Sequence, residues 1–399
     1  MRAPLLVCLS TVSLFSASGR VSANPWSTQP LIGVAAEYAS NPELIASSPQ
    51  SETHAALLVD LPLNYDLDSV HFAVTPRARY SNTTGYSSIT SNYYHLDASA
   101  RYVSDLSSLT FSGSFYRDSS LLYAGGLSNG VGERRDMSTA DINWQRVLTE
   151  RVQIQLDANT ARTLFGQNTA TAALIDYRYS SVSPSLAYSV SERDTLRVLG
   201  SAGRYYSLNG STSSDSANLQ LGFDHKLSEL WKLSTSAGYS KSINKYDYSF
   251  YEYYDGYFYP HFEILKSRQT GGVYSASVTR QTETLSFSAG VSRALTPTGL
   301  AFLTRQDGVN VSANYGFSER WTFNASAAWQ NLSNPVVGGG SADRRFYDIE
   351  LSAQWHWTEQ WSVTLGSRIL GQRYDKPAVS AASNGLSLEI SRQFYRTNN

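Results

Sequence analysis

The sequence predicts an all-β fold, a transmembrane antiparallel up-and-down β-barrel of about 18 strands, with 16 as the alternative, joined by short turns at one end and longer loops at the other. Three observations carry that prediction. Apolar and polar residues alternate with a period of two along most of the chain, as in strands with one face in an apolar medium and the other in a polar one. A short turn built on Ser or Thr followed by an acid recurs between the alternating segments. The composition fits both: 41% of the 399 residues are hydrophobic and 13% aromatic, with 27 Tyr, but only 16% are charged, against roughly 25% in ordinary soluble domains. The formal net charge of −1 lacks the Lys and Arg excess of a nucleic-acid binder. The only long apolar stretch is at the extreme N-terminus, so spanning helices of ~20 apolar residues are excluded.

Residues 1–23 read as a secretory signal. Arg2 supplies the positive start, Leu5 to Phe15 the apolar stretch, and Val21-Ser22-Ala23 a small-residue cleavage site near Ala23. The single cysteine, Cys8, lies inside this segment, so neither disulfides nor a thiol metal site are expected in the mature chain. Residues 24–30 form a short lead, too short for an N-terminal plug domain; 31–395 form the barrel and 396–399 a tail.

The recurring turn reads Val103-Ser-Asp, Leu148-Thr-Glu-Arg, Val190-Ser-Glu-Arg, Leu227-Ser-Glu-Leu, Gln281-Thr-Glu-Thr, Phe317-Ser-Glu-Arg and Trp357-Thr-Glu-Gln, with an earlier relative in Asp66-Leu-Asp-Ser69. Each is followed by alternation, as in Val152, Ile154, Leu156 and in Trp321, Phe323, Ala325, Ala327. The spacing between turns admits two strands and one longer loop. Leu31 to Asn41 supplies the first strand and Leu386 to Phe394 the last, placing both ends of the barrel on the tight-turn side. A soluble sandwich is the competing reading, but it seldom needs so uniform a polar face on every strand. Trp231, Trp321, Trp355, Trp357 and Trp361 cluster beside the turns, where amphipathic rings form a girdle at the periplasmic interface. In the final strand Arg392 interrupts the series Leu386, Leu388, Ile390, Phe394.

A barrel of this size encloses a channel. The face opposite the apolar residues carries the candidate lining groups Arg77, Arg79, His95, Asp97, Arg101, Asp157, Arg178, Arg197, Asp348 and Glu350. Arg77 and Arg79 read either as a short basic ladder or, paired with Asp97, as wall-stiffening groups; no uncompensated basic ring is present. One external segment, 246–262, is crowded with Tyr246, Tyr248, Tyr251, Tyr253, Tyr254, Tyr257 and Tyr259 beside Asp247, Glu252 and Asp255. Rings next to carboxylates suit sugars, while a hairpin above the membrane or rings filling the pore are the plainer readings. The histidines are scattered and make no metal pair, and nothing marks a catalytic cluster. No enzyme activity, metal or cofactor is expected.

On Gly33-Val-Ala-Ala-Glu-Tyr-Ala-Ser-Asn41, the Ser/Thr-Glu turns and Asn159-Thr-Ala-Arg-Thr-Leu-Phe165, the chain resembles the β-barrel porin 2 family of outer-membrane proteins, often encoded with exopolysaccharide or capsule systems. The resemblance implies an outer-membrane barrel that passes, or assists the export of, a polysaccharide. A general small-solute porin and a non-conducting structural or surface-interaction barrel are the alternatives. The expected partners are outer-membrane lipid and lipopolysaccharide, the barrel-assembly machinery during biogenesis, and polysaccharide or export-system proteins; nucleic acid is not expected.

Overall fold

The computed structural model describes residues 25–84, 92–119, 134–166, 174–254, 257–299, 303–333, 343–375 and 378–394. The predicted signal, the first residue of the lead and the predicted tail lie outside the described residues. The strands are β1 (Trp26–Thr28), β2 (Leu31–Ala39), β3 (Glu52–Asp60), β4 (Leu63–Leu67), β5 (Val70–Thr84), β6 (Tyr93–Val103) and β7 (Ser107–Ser119). They continue with β8 (Arg134–Val147), β9 (Val152–Phe165), β10 (Tyr177–Ser189), β11 (Asp194–Ser207), β12 (Thr212–Lys226), β13 (Trp231–Tyr254) and β14 (Tyr257–Gln281). The last are β15 (Leu285–Pro297), β16 (Leu303–Ser318), β17 (Trp321–Ser333), β18 (Arg344–His356), β19 (Trp361–Asp375) and β20 (Ala378–Gln393).

Sequential strands pair antiparallel, and β2 pairs with β20, Leu31 opposite Gln393, which closes the sheet. β1 prolongs β2 past Gln29-Pro30, and β4 prolongs β3 past Leu61-Pro62; β3 and β4 both pair with β5. Proline has no N–H to give the ladder, so both walls break there. Counted as continuous walls, the strands form a closed barrel of 18. No helix occurs among the described residues.

Register sorts side chains into two faces. Val363, Ile390 and Val34 stand in one cross-strand row, and Leu365 and Leu388 in the next; Val34 is 56% and Leu365 59% exposed. In a single closed layer such exposed apolar rows can only be the exterior. A sandwich would bury them, so that alternative fails. At Gly371 the exterior lacks a side chain, and the ring of Tyr347, directly opposite, lies over it where a Cβ would stand. The aromatic covers backbone that glycine leaves bare.

The recurring motif has a physical cause. Its hydroxyl accepts hydrogen bonds from backbone N–H groups two and three residues on: Thr149 from Arg151 and Val152, Ser228 from Leu230 and Trp231, Thr358 from Gln360 and Trp361. This local bonding reinforces the backbone bonds that close the same reversals, Thr149 N–H to the Val152 carbonyl at 3.2 Å, Ser228 N–H to that of Trp231 at 3.3 Å and Thr358 N–H to that of Trp361 at 3.3 Å. In the Val190–Asp194 turn, Ser191 also donates to Asp194 Oδ2 at 2.7 Å while His225 Nδ1 meets Oδ1 at 2.7 Å. These two groups hold the half-buried Asp194 carboxyl below the usual carboxylate range.

Tryptophans gather outside the same end. Trp321 stacks on Trp355 at 6.1 Å and Trp355 on Trp357 at 6.5 Å, while Trp231 meets Phe287 edge-on at 6.2 Å. Arg392 belongs to this belt: its guanidinium lies 5.5 Å from the Trp361 ring and 4.8 Å from Phe394. The residue that interrupts the final apolar series thus sits at the level where a cation is wetted.

Candidate functional site in the barrel lumen

Opposite the apolar exterior lies a hydrophilic inner face. Arg77 opposes Asp60 and His95 in register and forms ion pairs with Asp60 at 3.7 Å and Asp97 at 3.5 Å. His95 Nε2 meets Asp97 at 2.8 Å, Arg79 pairs with Glu37, and His54 stands 3.6 Å from Glu37 and 3.4 Å from Glu52. Across the seam Arg368 holds Asp348 through two bonds of 3.0 and 2.6 Å, and Glu350 stands opposite Arg368 in register. Arg197 pairs with Asp224 at 2.9 Å. Asp157 accepts from Gln155 at 2.9 Å and from Asn143, and Arg101 lies opposite His71. The Arg77–Arg79 ladder is therefore compensated, and its acids come largely from β2 and β3.

Arg178 departs from the expectation. Tyr177 is 2% exposed and stacks at 5.1 Å on the fully buried Tyr205 inside the barrel, so Arg178 between Tyr177 and Tyr179 faces outward. The flanking tyrosines made that stretch read as lipid-facing. They face inward because loop segments fill the upper lumen and offer them a dry surface.

Two such segments are visible. After β15, Thr298 and Gly299 cross to β9–β11: Tyr205 Oη donates to the Thr298 carbonyl at 3.2 Å, and Ile175 N–H to the Gly299 carbonyl at 2.9 Å. Phe165, Leu174, Tyr177, Tyr205 and Leu303 form the apolar cluster under this crossing. A Cβ on Gly299 would come within 2.9 Å of Leu174 and 3.0 Å of Phe165, so a larger residue there would have to push both side chains aside. After β2, Asn41 and Leu44 fold against β19 and β20, with Leu44 at φ 51°. Asn41 N–H donates to Ser383 Oγ at 3.2 Å and Gln372 Nε2 to the Leu44 carbonyl at 3.0 Å. Both segments narrow the lumen at the long-loop end. Sequence reading missed them, since Leu44 and Thr298 carry no local signal beyond their non-strand composition.

The ion pairs lie on β2–β8, β11–β12 and β18–β19. From β13 to β17 the inner wall carries hydroxyls and amides instead: Ser236 bonds Gln220 and Ser275, and Ser288 bonds Ser312. Asn314 donates to Asn324 and Asn324 to Ser352. A cavity of about 430 Å³ opens here, lined by Ser286, Ser312, Asn314, Asn324, Ser326, Glu350 and Ser352.

The aromatic segment is a continuation of β13 and β14. Their pairing runs unbroken to Tyr254 opposite Tyr257, whereas pairing with β12 ends at Tyr246 and with β15 at Tyr274. The hairpin therefore stands free of both neighbours by about 25 Å on the β13 side, at ~3.3 Å per residue. Tyr257 is 70% exposed; the side chains of Tyr248, Tyr251, Tyr253, Tyr254 and Tyr259 lie outside the described residues.

No family model matches the chain, and no curated protein does. Similar solved structures include the FrpB iron transporter from Neisseria meningitidis, at 9% identity over 93% of this chain and 81% of that one, with a TM-score of 0.47. Pseudomonas aeruginosa OccK5 matches at 11% identity over 92% and 99%, TM-score 0.45, and the ferric-catecholate receptor Fiu of E. coli K12 at 9% over 91% and 81%, TM-score 0.43. The barrel assignment rests on the strand pairing itself.

Proposed function

We propose that this chain is an outer-membrane channel of the porin kind, as its resemblance to the β-barrel porin 2 family implies, with the tight turns in the periplasm and the long loops outside. An apolar exterior with a tryptophan belt, around ladders that leave no sheet edge, supports the membrane setting. The observation that carries the channel is the hydroxyl- and amide-lined wall of β13–β17, facing ion pairs that largely neutralise one another. Such a lining favours polar, weakly charged solutes. Polyhydroxylated chains fit it, so polysaccharide export is the finer reading, with export-system proteins as partners and the barrel-assembly machinery acting in biogenesis. The Tyr-rich hairpin is a proposed sugar contact at the mouth.

Refolded protein in planar bilayers tests this. Stable conductance steps with weak cation–anion discrimination are expected, and loss of secreted polysaccharide in a deletion strain separates export from diffusion. Electrical silence would leave the non-conducting barrel, the reading that the inward-folded loops favour.

A further inference from the structure

We infer that the exterior of β9–β14 at the long-loop end binds the phosphate groups of a phosphorylated glycolipid in the surrounding leaflet. This rests on the membrane setting proposed above and not on conduction. Arg162 of β9 stands directly opposite Arg178 of β10, and Lys245 of β13 directly opposite Lys266 of β14. All four share the outward face with Leu156, Leu186 and Tyr239. Arg204 and Arg268 lie on the same face, two residues nearer the turns in the cross-strand rows.

Like charges directly opposite in a sheet repel, and here one cross-strand row holds two such pairs, with Tyr206 and Ser213 between them. Asp215 relieves only part of this: it meets Arg204 at 3.6 Å and Lys245 at 3.2 Å, and Asp247 lies farther up the hairpin opposite Ile264. Among the described residues Arg162, Arg178, Lys266 and Arg268 form no ion pair. Elsewhere on this rim Arg117 is matched with Asp136 at 2.7 and 2.9 Å and Arg293 with Asp307 at 2.5 and 3.2 Å.

Height identifies the occupant. Arg162 lies ten residues beyond the first residue of β9, which at ~3.3 Å per residue and a tilt of ~40° is about 25 Å above the turns, the height of the apolar band. The Arg162–Arg178 pair therefore meets the headgroup layer of the outward leaflet, and the Lys245–Lys266 pair, fourteen residues beyond Trp231, stands about 10 Å higher, toward the saccharide end of such a lipid. Guanidinium groups bind phosphate through paired N–H donors, and phosphates between Arg162 and Arg178, and between Lys245 and Lys266, would turn repulsion into attraction.

The test uses the refolded full chain in nonionic detergent, with native mass spectrometry and thermal unfolding as readouts. The probes are diphosphorylated lipid A, the same lipid dephosphorylated, phosphatidylglycerol and inorganic phosphate. Lipid A should be retained and raise the unfolding midpoint, with at least about tenfold weaker binding on dephosphorylation. The double variant R162Q/R178Q should lose that preference and, without lipid, unfold no earlier than the parent, because a repulsion is gone; Arg151→Gln in a turn should change nothing. Equal retention of the dephosphorylated lipid, unchanged binding by R162Q/R178Q, phosphatidylglycerol binding as tightly, or displacement by inorganic phosphate would overturn the assignment. Bilayer conductance reports on the channel separately, so either reading can fail alone.

Discussion

At the scale of single residues, the turns carry the clearest sequence record, because each is a local hydrogen-bond device confined to a few adjacent positions. The Ser191–Asp194–His225 contact makes a measurable case. Since the native Asp194 carboxyl titrates below the ordinary value, the stabilisation it gives is complete above the unfolded value of about 3.9 and is lost as pH falls through the lower native one. The unfolding midpoint of Asp194→Asn should therefore lag the parent by a constant margin above about pH 5 and converge with it once pH falls below the native value. A margin that persisted in acid would assign the effect to packing. Arg178 shows where local reading fails. Its side follows from Tyr177 and Tyr179 turning inward, and that is dictated by packing against Tyr205 and Leu303, distant in sequence.

Among the elements, strand existence and the turn-end girdle were legible, since alternation and Trp placement are properties of each strand alone. The inward segments were not, because what holds Leu44 or Thr298 is a partner hundreds or tens of residues away. The aromatic stretch lacks alternation although its pairing is continuous: standing free of β12 and β15, it has no need of the signal on which strands were read. Tyr205 is the anchor of the Thr298–Gly299 crossing. Tyr205→Ala removes the hydroxyl and a fully buried ring, a truncation of the kind that costs about 3–5 kcal/mol in a packed core. The crossing should detach, with a larger single-channel conductance and an intact barrel by gel mobility; unchanged conductance would mean that the segment does not limit the pore.

For the whole molecule, the ion-pair network sets the charge balance of the lumen. The sequence showed Arg77, Arg79 and Asp97 on facing strands but not Glu37 or Asp60, because pairing β2 with β3 and β3 with β5 requires knowing where the first walls break. Arg79→Gln leaves Glu37 with only His54 beside it, so the pore should become more cation-selective in reversal-potential measurements. A shift toward anions would contradict the compensated network. The closure of the barrel has a kinetic consequence as well. β2 and β20 share nine paired positions against fifteen between β19 and β20, and Leu31 must find Gln393 across almost the whole chain. The ring therefore has one late, short zipper, unable to form until the final strand exists, and that line is where the wall would part first under strain and where a circular permutation could join the ends.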